Sequence, residues 1–357
     1  MPGITVHGVD YLTGGVCYQA QFASCPGRSQ ESGRRGRIEY HRRIVPAHLA
    51  FFRGSLTQWL AQVAQIYFQP SPWTGLCILG ALAVTRPWAA LGMGLASCIA
   101  LAVSRLRRVG GPGGDPASGL WGYNASLTGA GLLTLYTPGP AVLLYLIGVS
   151  IASALLSARW VRWGKLPALT AQFVVAMWGA RVLGPLLGAA APAPGCDSGL
   201  WGLVPCGIGQ VTFISSALAG GAVWAAITLH RARDGLWLAI GAATGVLGAA
   251  GLGRWLPLAA TQSVGLAVNL GLIALGLAVF ERSLVTRLAG LGLGAALCLG
   301  LGWARVPYFT LPFNLVVWAL WTPRGGPARR AGSTAATPGV PWADDAACKP
   351  ARSPDPL

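Results

Sequence analysis

The polar side chains inside the apolar stretches of this chain are amides and hydroxyls, and they recur in pairs. Gln65 and Gln210 are 145 positions apart, and Thr170 and Thr310 are 140 positions apart. Uncharged groups of this kind bind a neutral molecule through hydrogen bonds, whereas a bare ion would lose hydration that they do not replace. These residue types therefore indicate recognition of a small, polar, uncharged solute.

Each of these side chains also has a purely structural interpretation. A buried Gln can hold two helices together, at about 0.6 kcal/mol for such a contact, and a Thr hydroxyl can bond back to its own helix. The aromatic residues Phe68, Tyr123 and Phe213 can serve for packing or lie at the membrane interface. Recurrence of Gln, Phe and Thr across the chain favours a shared pathway, and the structural interpretation stays open for each residue alone.

The positions of the ionisable residues argue against other kinds of chemistry. None of the ten acidic residues and none of the four histidines lies in the middle of an apolar run. Ion-coupled pumps usually need ionisable groups within the membrane, and a hydrolase needs a carboxylate pair, a metal cluster or an activated nucleophile. We therefore expect no enzyme, no metal and no other cofactor. An ion-coupled transporter and a membrane enzyme remain as weaker alternatives.

The composition indicates that lipid is the solvent of this protein. Hydrophobic residues make up 54% of the 357 residues and charged residues only 10%, against about 25% charged in soluble proteins. The net charge of +16 comes from tails and short loops, which fits a positive-inside anchor better than nucleic-acid binding. We expect a multi-pass protein of the bacterial inner-membrane type, surrounded by lipid, with both termini cytoplasmic and no nucleic-acid partner.

The chain also contains an internal repeat. The segment QIYF at 65–68 recurs as QVTF at 210–213, and Asn124 meets Asn269 at the same offset of 145. A third block, LPALTAQF at 166–173, matches VPYFTLPF at 306–313 at an offset of 140. Spans are predicted near 56–70, 74–86, 87–106, 137–158 and 166–186, and again near 201–217, 218–230, 234–253, 283–301 and 305–322.

Each copy thus holds five spans and a shorter segment, near 118–130 and 261–275, that carries the Asn. An odd number of spans forces the two copies into opposite orientations. Interrupted segments at membrane depth survive only where they line protein or a water-filled cavity. The pathway is therefore expected to pass between Asn124 and Asn269.

The predicted domain organisation follows from these runs. Residues 1–47 form a polar basic segment, 48–190 the first membrane repeat, 191–200 a loop, 201–322 the second repeat and 323–357 a tail. Both terminal segments have the composition of disordered chain. Cys196 and Cys206 flank the loop between the repeats, and whether they pair is left open by the sequence.

At these motifs the chain resembles the urea transporter family, from about Gln62 to Trp321. The resemblance rests on segments 64–68, 119–127, 207–211 and 310–314, which are specific because all four occur in order. It implies an all-α integral membrane fold with ten transmembrane helices in two inverted five-helix repeats, each with a re-entrant pore helix. It also implies a homotrimer with one pore per protomer and passive, channel-like flow of urea.

The resemblance further implies that planar urea slides between aromatic side chains in two slots. One slot is matched by Phe68, Tyr123 and Leu127, and the other by Phe213, Val268 and Leu272. Gln65 and Gln210 match polar ladders beside the slots, Thr170 and Thr310 match a central threonine pair, and Asn124 and Asn269 match the pore helices.

Three residues depart from the family pattern. Val268 stands where an aromatic residue would face Phe213, so we expect a looser second slot. Ala217 and Gln172 each replace a proline. Val268 also motivates an alternative function, a channel for another small neutral solute such as a short amide or ammonia.

Overall fold

The structure is a computed structural model that describes residues 47–106, 119–163, 166–188, 190–191, 195–196, 199–255, 260–280 and 283–321. The predicted N-terminal segment, up to residue 46, and the predicted C-terminal tail lie outside these described ranges. Every regular element within them is helical, and no strand occurs there. The prediction of an all-helical chain is confirmed for these residues.

Each predicted span contains a helix, although some of these helices are much shorter than the span. In chain order they are α1 (Ala47–Ala64), α2 (Pro72–Thr85), α3 (Pro87–Leu106), α4 (Tyr123–Leu135), α5 (Pro140–Trp163), α6 (Ala171–Val182), α7 (Gly184–Leu187), α8 (Leu200–Gln210), α9 (Ala217–His230), α10 (Ala232–Leu252), α11 (Ala260–Phe280), α12 (Leu284–Trp303) and α13 (Leu311–Ala319). A single turn of 3-10 helix, Gln65–Tyr67, extends α1.

Among the described residues, five helices are long and apolar enough to cross a membrane, judged by length and composition. They lie within residues 87–106, 140–160, 232–252, 262–280 and 284–303. Two shorter apolar helices, α2 and α9, have 14 residues each. Several membrane crossings are therefore available to this chain.

The two segments that carry the Asn residues differ in length. Helix α4 has 13 residues, of which 12 are buried. Helix α11 is longer because it begins at Ala260, eight residues before the position equivalent to Tyr123. Both helices end five residues beyond the predicted segments, at Leu135 and Phe280. In α11, 67% of the spanning stretch is buried inside the protein, against 28–39% in the other four long helices. Both α4 and α11 are therefore interior helices.

Equivalent serines begin the second helix of each repeat. The Ser71 hydroxyl accepts a hydrogen bond from the Thr74 amide, and the Ser216 hydroxyl accepts one from the Ala219 amide, each at 3.3 Å. A serine in this position satisfies one of the free amides at the helix start. Ala217 occupies the first position of α9, where α2 has Pro72, so the helix start is kept although this proline is absent.

Glycines bring helices into close contact where they meet in the interior. A methyl group added at Gly75 would lie 2.0 Å from the carbonyl oxygen of Leu60, and one added at Gly220 would lie 2.0 Å from that of Pro205. Within lipid there is little hydrophobic force between helices, so small residues allow the close packing that holds them together. The same close helix contact thus occurs at Gly75 and at its equivalent, Gly220.

Cys196 and Cys206 form a disulfide with a Cα–Cα distance of 6.1 Å. This resolves the pairing that the sequence left open. The bond ties the segment between the two repeats to α8, four residues before Gln210. Among the other described cysteines, Cys77 and Cys98 are exposed and Cys298 is buried.

Candidate functional site

The two equivalent threonines meet in the interior of the protein. The hydroxyl oxygens of Thr170 and Thr310 lie 2.7 Å apart, and the residues are 2% and 4% exposed. Each threonine immediately precedes a helix, α6 or α13. Their hydroxyls therefore bond to each other, across the two halves of the sequence.

Each threonine follows a residue with an unusual backbone conformation. Leu169 has φ 44° and Phe309 has φ 47°, both in the left-handed region that side chains rarely adopt. Such strain persists only where the surroundings hold it, and it clusters at functional sites. The turn is the same at both positions, which are 140 residues apart.

Asn124 and Asn269 hold these turns in place. The side-chain amide nitrogen of each donates to the turn carbonyl, of Leu169 or of Phe309, at 2.8 Å. Its oxygen accepts from the backbone amide of Phe173 or of Phe313, at 3.2 Å. The interior helices α4 and α11 thus position the two threonine turns by the same pair of bonds.

A second pair of left-handed turns follows the two glutamines. Phe68 has φ 58° and Phe213 has φ 65°. The amide of Phe68 donates to the carbonyl of Gln65 at 3.0 Å, and the amide of Phe213 donates to that of Gln210 at 3.1 Å. Both glutamines are buried, at 2% and 8% exposure. The sequence motif therefore corresponds to a repeated backbone shape.

The two phenylalanines pack in the same way against the opposite half of the chain. Phe68 contacts Phe313, and Phe213 contacts Phe173, and in both pairs the ring centroids are 6.2 Å apart at an interplanar angle of 65°. Phe68 also contacts Phe280, with ring centroids 5.5 Å apart. Each ring thus lies beside the helix that follows one of the two threonines.

The remaining residues predicted for the slots lie on the interior helices. Leu127 and Leu272 are fully buried in the core. Tyr123 is 7% exposed, and its hydroxyl donates to the carbonyl of Leu169 at 2.5 Å. Val268 is partly buried and packs against the core. That these residues form the walls of two slots stays a prediction.

Two tryptophans join the halves in a reciprocal way. The indole of Trp178 donates to the carbonyl of Pro307 at 2.6 Å, and that of Trp318 donates to the carbonyl of Pro167 at 2.8 Å. Residues 178 and 318, like 167 and 307, are 140 positions apart. Exchanging the two halves therefore turns one contact into the other.

Charge in the described interior is confined to helix ends. The buried charged side chains there are Asp234, in the first turn of α10, and Arg287, in the first turn of α12. Asp234 accepts a hydrogen bond from Gln69 at 2.9 Å, and Arg287 lies over the ring of Trp237 at 4.7 Å. Within the described ranges, no group of three His, Cys, Asp or Glu residues is placed to hold a metal.

Asn314 is a site residue that sequence reasoning missed. Its side-chain oxygen accepts from the backbone amide of Thr170 at 3.0 Å and from the Thr170 hydroxyl at 3.2 Å. Its amide nitrogen is buried without a hydrogen-bond partner in the part of the chain that the structure describes. Asn314 belonged to a quoted motif, but the equivalent position in the first half is Val174, so comparing the repeats did not single it out.

Gln172, which replaces a proline, has a local structural role. Its side-chain amide lies 2.7 Å from the hydroxyl of Ser153 and 3.1 Å from that of Ser157, both on α5. These contacts fasten α6 to α5 by side-chain hydrogen bonds. The departure from the family pattern therefore serves helix packing next to Thr170.

Comparison with known proteins identifies a family for this chain. A family model described as "Urea transporter" matches residues 56–325, which is most of the chain. No curated protein matches. The matched range covers the helices from α2 to α13 and both threonine turns.

Proposed function

Because the chain belongs to the urea transporter family, whose members are membrane proteins that transport urea, we propose that it conducts urea passively through a pore within each protomer. The pore would be lined by the residues identified above. They are Gln65, Phe68, Tyr123, Leu127, Thr170, Gln210, Phe213, Val268, Leu272 and Thr310, with Asn124 and Asn269 supporting them.

The threonine pair is the observation that carries this proposal. It places two neutral hydroxyls 2.7 Å apart in a buried position. The Thr170 hydroxyl is also bonded to the side-chain amide of Asn314. A site made of hydroxyls and amides offers hydrogen bonds to a neutral solute but does not compensate an ion for its lost hydration. A passive path for urea is favoured over one that is coupled to an ion gradient.

The hydrogen-bonding capacity of this site suits urea. The Thr170 hydroxyl donates its hydrogen to the side-chain oxygen of Asn314. The hydrogen bond between the two threonine hydroxyls is therefore donated by Thr310. A hydroxyl oxygen has two acceptor lone pairs, and those of Thr310 stay available. Urea carries four N–H donors along its edges and one carbonyl acceptor, so its N–H groups can bond to Thr310 as it passes.

Several equivalent contacts support an arrangement of ten spans in two inverted repeats. The threonine pair, the two tryptophan contacts and the two phenylalanine contacts each join equivalent residues or map onto each other when the halves are exchanged. This is the pattern expected of two similar units related by a two-fold axis. Interior helices α4 and α11 would then be the two re-entrant pore helices.

The disulfide supports an orientation in the membrane. Disulfides persist in oxidising compartments and are rare in the cytoplasm, which favours an outer location for the Cys196–Cys206 bond. In the proposed arrangement five spans precede Cys196, and Cys206 lies near the start of the sixth. Both termini would then be cytoplasmic, as the basic tails also favour in a bacterial inner membrane.

Contacts with lipid and with other protomers are proposed for the apolar outer surface. Trp73, Leu218 and Trp303 are exposed by 77%, 87% and 88%. Side chains of this size need an apolar environment, which lipid or a neighbouring protomer provides. We propose the homotrimer of the family resemblance, with repeats at 48–190 and 201–322 that are joined by loop 191–200.

Flux measurements on the reconstituted protein test this function. Proteoliposomes are mixed with urea, acetamide, glycerol or an impermeant osmolyte, and light scattering reports solute entry. We expect urea entry that is faster than in protein-free liposomes and unchanged by an uncoupler or by the membrane potential. Loss of flux on uncoupling would show an ion-coupled transporter instead.

Another small neutral solute is the second candidate. Val268 is the observation that favours this candidate. The equivalent residue in the first half is the aromatic Tyr123, and Val268 is only partly buried. If acetamide or ammonia enters faster than urea in the same assay, this alternative replaces urea as the principal solute.

A further inference from the structure

Each threonine turn and its interior helix carry one large and one smaller side chain at a pair of positions. The two halves place the large side chain at different positions of this pair. In the first half, a large residue on the interior helix, Tyr123, accompanies a smaller residue in the turn, Leu169. In the second half, the smaller residue is on the helix, Val268, and the ring is in the turn, Phe309. The combined content of one aromatic and one aliphatic side chain is the same in both halves.

In each half the turn residue is bonded to the interior helix, at or next to the paired helix position. The Tyr123 hydroxyl and the Asn124 amide both donate to the carbonyl of Leu169. In the second half, Asn269 donates to the carbonyl of Phe309 at 2.8 Å, and the adjacent Val268 has no polar group to add. The bond of the interior-helix Asn to the turn carbonyl is therefore the same in both halves, and only the first half adds a bond from the preceding helix residue.

The ring of Phe309 lies in the same cluster as Phe213. Phe173 contacts both of them, with its ring centroid 6.2 Å from that of Phe213 and 5.8 Å from that of Phe309. Both rings are steeply inclined to Phe173, at 65° and 76°. Phe213 and Phe309 therefore both pack against the same ring.

Exposure distinguishes this cluster from its counterpart. Val268, Phe213 and Phe309 are all partly exposed, whereas Phe173 between the two rings is only 2% exposed. In the first half, the counterparts Tyr123, Phe68 and Leu169 are 7%, 9% and 1% exposed. The three side chains of the second cluster are therefore partly accessible, and the base ring is not.

We propose that Phe309 supplies the aromatic wall opposite Phe213 that Val268 cannot supply, and so sets the solute selectivity of the second slot. The proposal rests on the proposed passage of urea. It replaces the expectation of a loose slot with that of a bounded one. A planar amide fits between two such faces, and a bulkier one is excluded.

Three variants test this assignment by exchanging the two side chains. Phe309→Leu removes the wall, Val268→Tyr adds a ring at the other position, and the double variant reproduces the pair found in the first half. We expect Phe309→Leu to raise the acetamide-to-urea flux ratio about tenfold. The double variant should return the ratio to the wild-type value, while Val268→Tyr alone crowds the slot and lowers entry of both solutes.

An unchanged ratio in a monodisperse Phe309→Leu protein would overturn the assignment. If Phe309→Leu does not fold, Phe309→Met keeps a similar volume without a flat face, and the same increase in the ratio is expected. Misfolding lowers the flux of every solute alike. A change in the ratio therefore reports the slot rather than the amount of folded protein.

Cysteine labelling keeps this result separate from the proposed function. Every cysteine outside the Cys196–Cys206 pair is replaced by Ser, and Phe309→Cys, Val268→Cys and Phe173→Cys are compared for reaction with methyl methanethiosulfonate. We expect reaction at 309 and 268, and none at 173. Absence of reaction at 309 in a protein that conducts urea overturns the assignment alone, whereas reaction at 309 without urea flux in the wild type overturns the proposed function alone.

Discussion

The hydroxyl of Tyr67 lies 3.4 Å from the hydroxyl of Thr212, and these two residues are 145 positions apart, which is the offset of the first repeat block. Equivalent residues can touch only near an axis that relates the two halves. Tyr67 also donates to the carbonyl of Ile208 at 2.7 Å. A second point of contact thus exists beside the threonine pair.

Removing the Tyr67 hydroxyl should weaken the joint between the halves. We expect Tyr67→Phe to lower the free energy of unfolding by about 1 kcal/mol, because the carbonyl of Ile208 loses a buried donor. Thermal unfolding in detergent measures the change. Tyr145→Phe is a matched control, since that hydroxyl donates within the first half, to Ala176 at 2.6 Å. Combining Tyr67→Phe with Thr212→Val should give non-additive losses, and strict additivity would exclude a shared contact.

The two glutamines beside the phenylalanine turns should contribute to solute passage. We expect Gln65→Leu and Gln210→Leu each to lower urea flux about fivefold, because a dehydrated solute loses a hydrogen bond of about 1 kcal/mol. Gln62→Leu is the control, because Gln62 is buried and accepts from Ser97 at 3.0 Å. Its loss should affect stability and leave flux per folded protein unchanged. Two inert glutamine variants would return both residues to a helix-packing role.

The central threonines should act together. Thr170→Val and Thr310→Val keep the side-chain volume and remove the hydroxyls, so each should lower urea flux about fivefold. The double variant should lose less than the product of the two effects, because the hydroxyls share one bond. Thr310→Ser keeps the hydroxyl and should keep most of the flux. Full activity of Thr310→Val would contradict a contact with the solute.

The Gln69–Asp234 bond should stabilise the turn that carries Phe68. Asp234→Ala leaves the buried amide of Gln69 without its acceptor, and we expect a loss of about 1–3 kcal/mol in unfolding free energy. Asp234→Asn keeps an acceptor oxygen and should be much milder. The midpoints of thermal unfolding of the three proteins provide the comparison. Equal losses in both variants would mean that the carboxylate charge, rather than the bond to Gln69, is what matters.

The disulfide gives a direct test of orientation. In spheroplasts, an impermeant phosphine reductant should open the Cys196–Cys206 bond, after which an impermeant maleimide should label Cys196, which is partly exposed, whereas Cys206 is buried. The Cys196→Ser/Cys206→Ser variant is the control for labelling elsewhere. Labelling only after the membrane is permeabilised would place the loop in the cytoplasm and reverse the proposed topology.

Much of the fold was predictable from patterns along the chain. The apolar runs gave the helices because lipid demands that each spanning backbone satisfy its own hydrogen bonds. The recurrence of Gln and Phe at 65–68 and 210–213 indicated the paired turns, and the repeat also paired Thr170 with Thr310. The apolar runs are local patterns, and the Gln, Phe and Thr motifs are repeated ones. A motif that is weak by itself becomes specific when it is repeated.

Other features depend on contacts that no repeat reveals. Asn314 and Asp234 have Val174 and Ala89 as counterparts, so their bonds to Thr170 and Gln69 arise from tertiary packing alone. The two interior helices end at equivalent positions, Leu135 and Phe280, but α11 begins eight residues before the position equivalent to the start of α4. Asymmetry between the halves is therefore where sequence comparison stopped being informative.

The bond between Thr170 and Thr310 spans 140 residues of chain. At a synthesis rate of about 5–20 residues per second, roughly 7 to 28 s separate the appearance of the two partners. During that interval the Thr170 turn is already made, while the groups that will bond to it have not left the ribosome. A translational stall in the second half would therefore strand a membrane-inserted fragment with unpaired polar groups, which is the kind of fragment that membrane quality control removes.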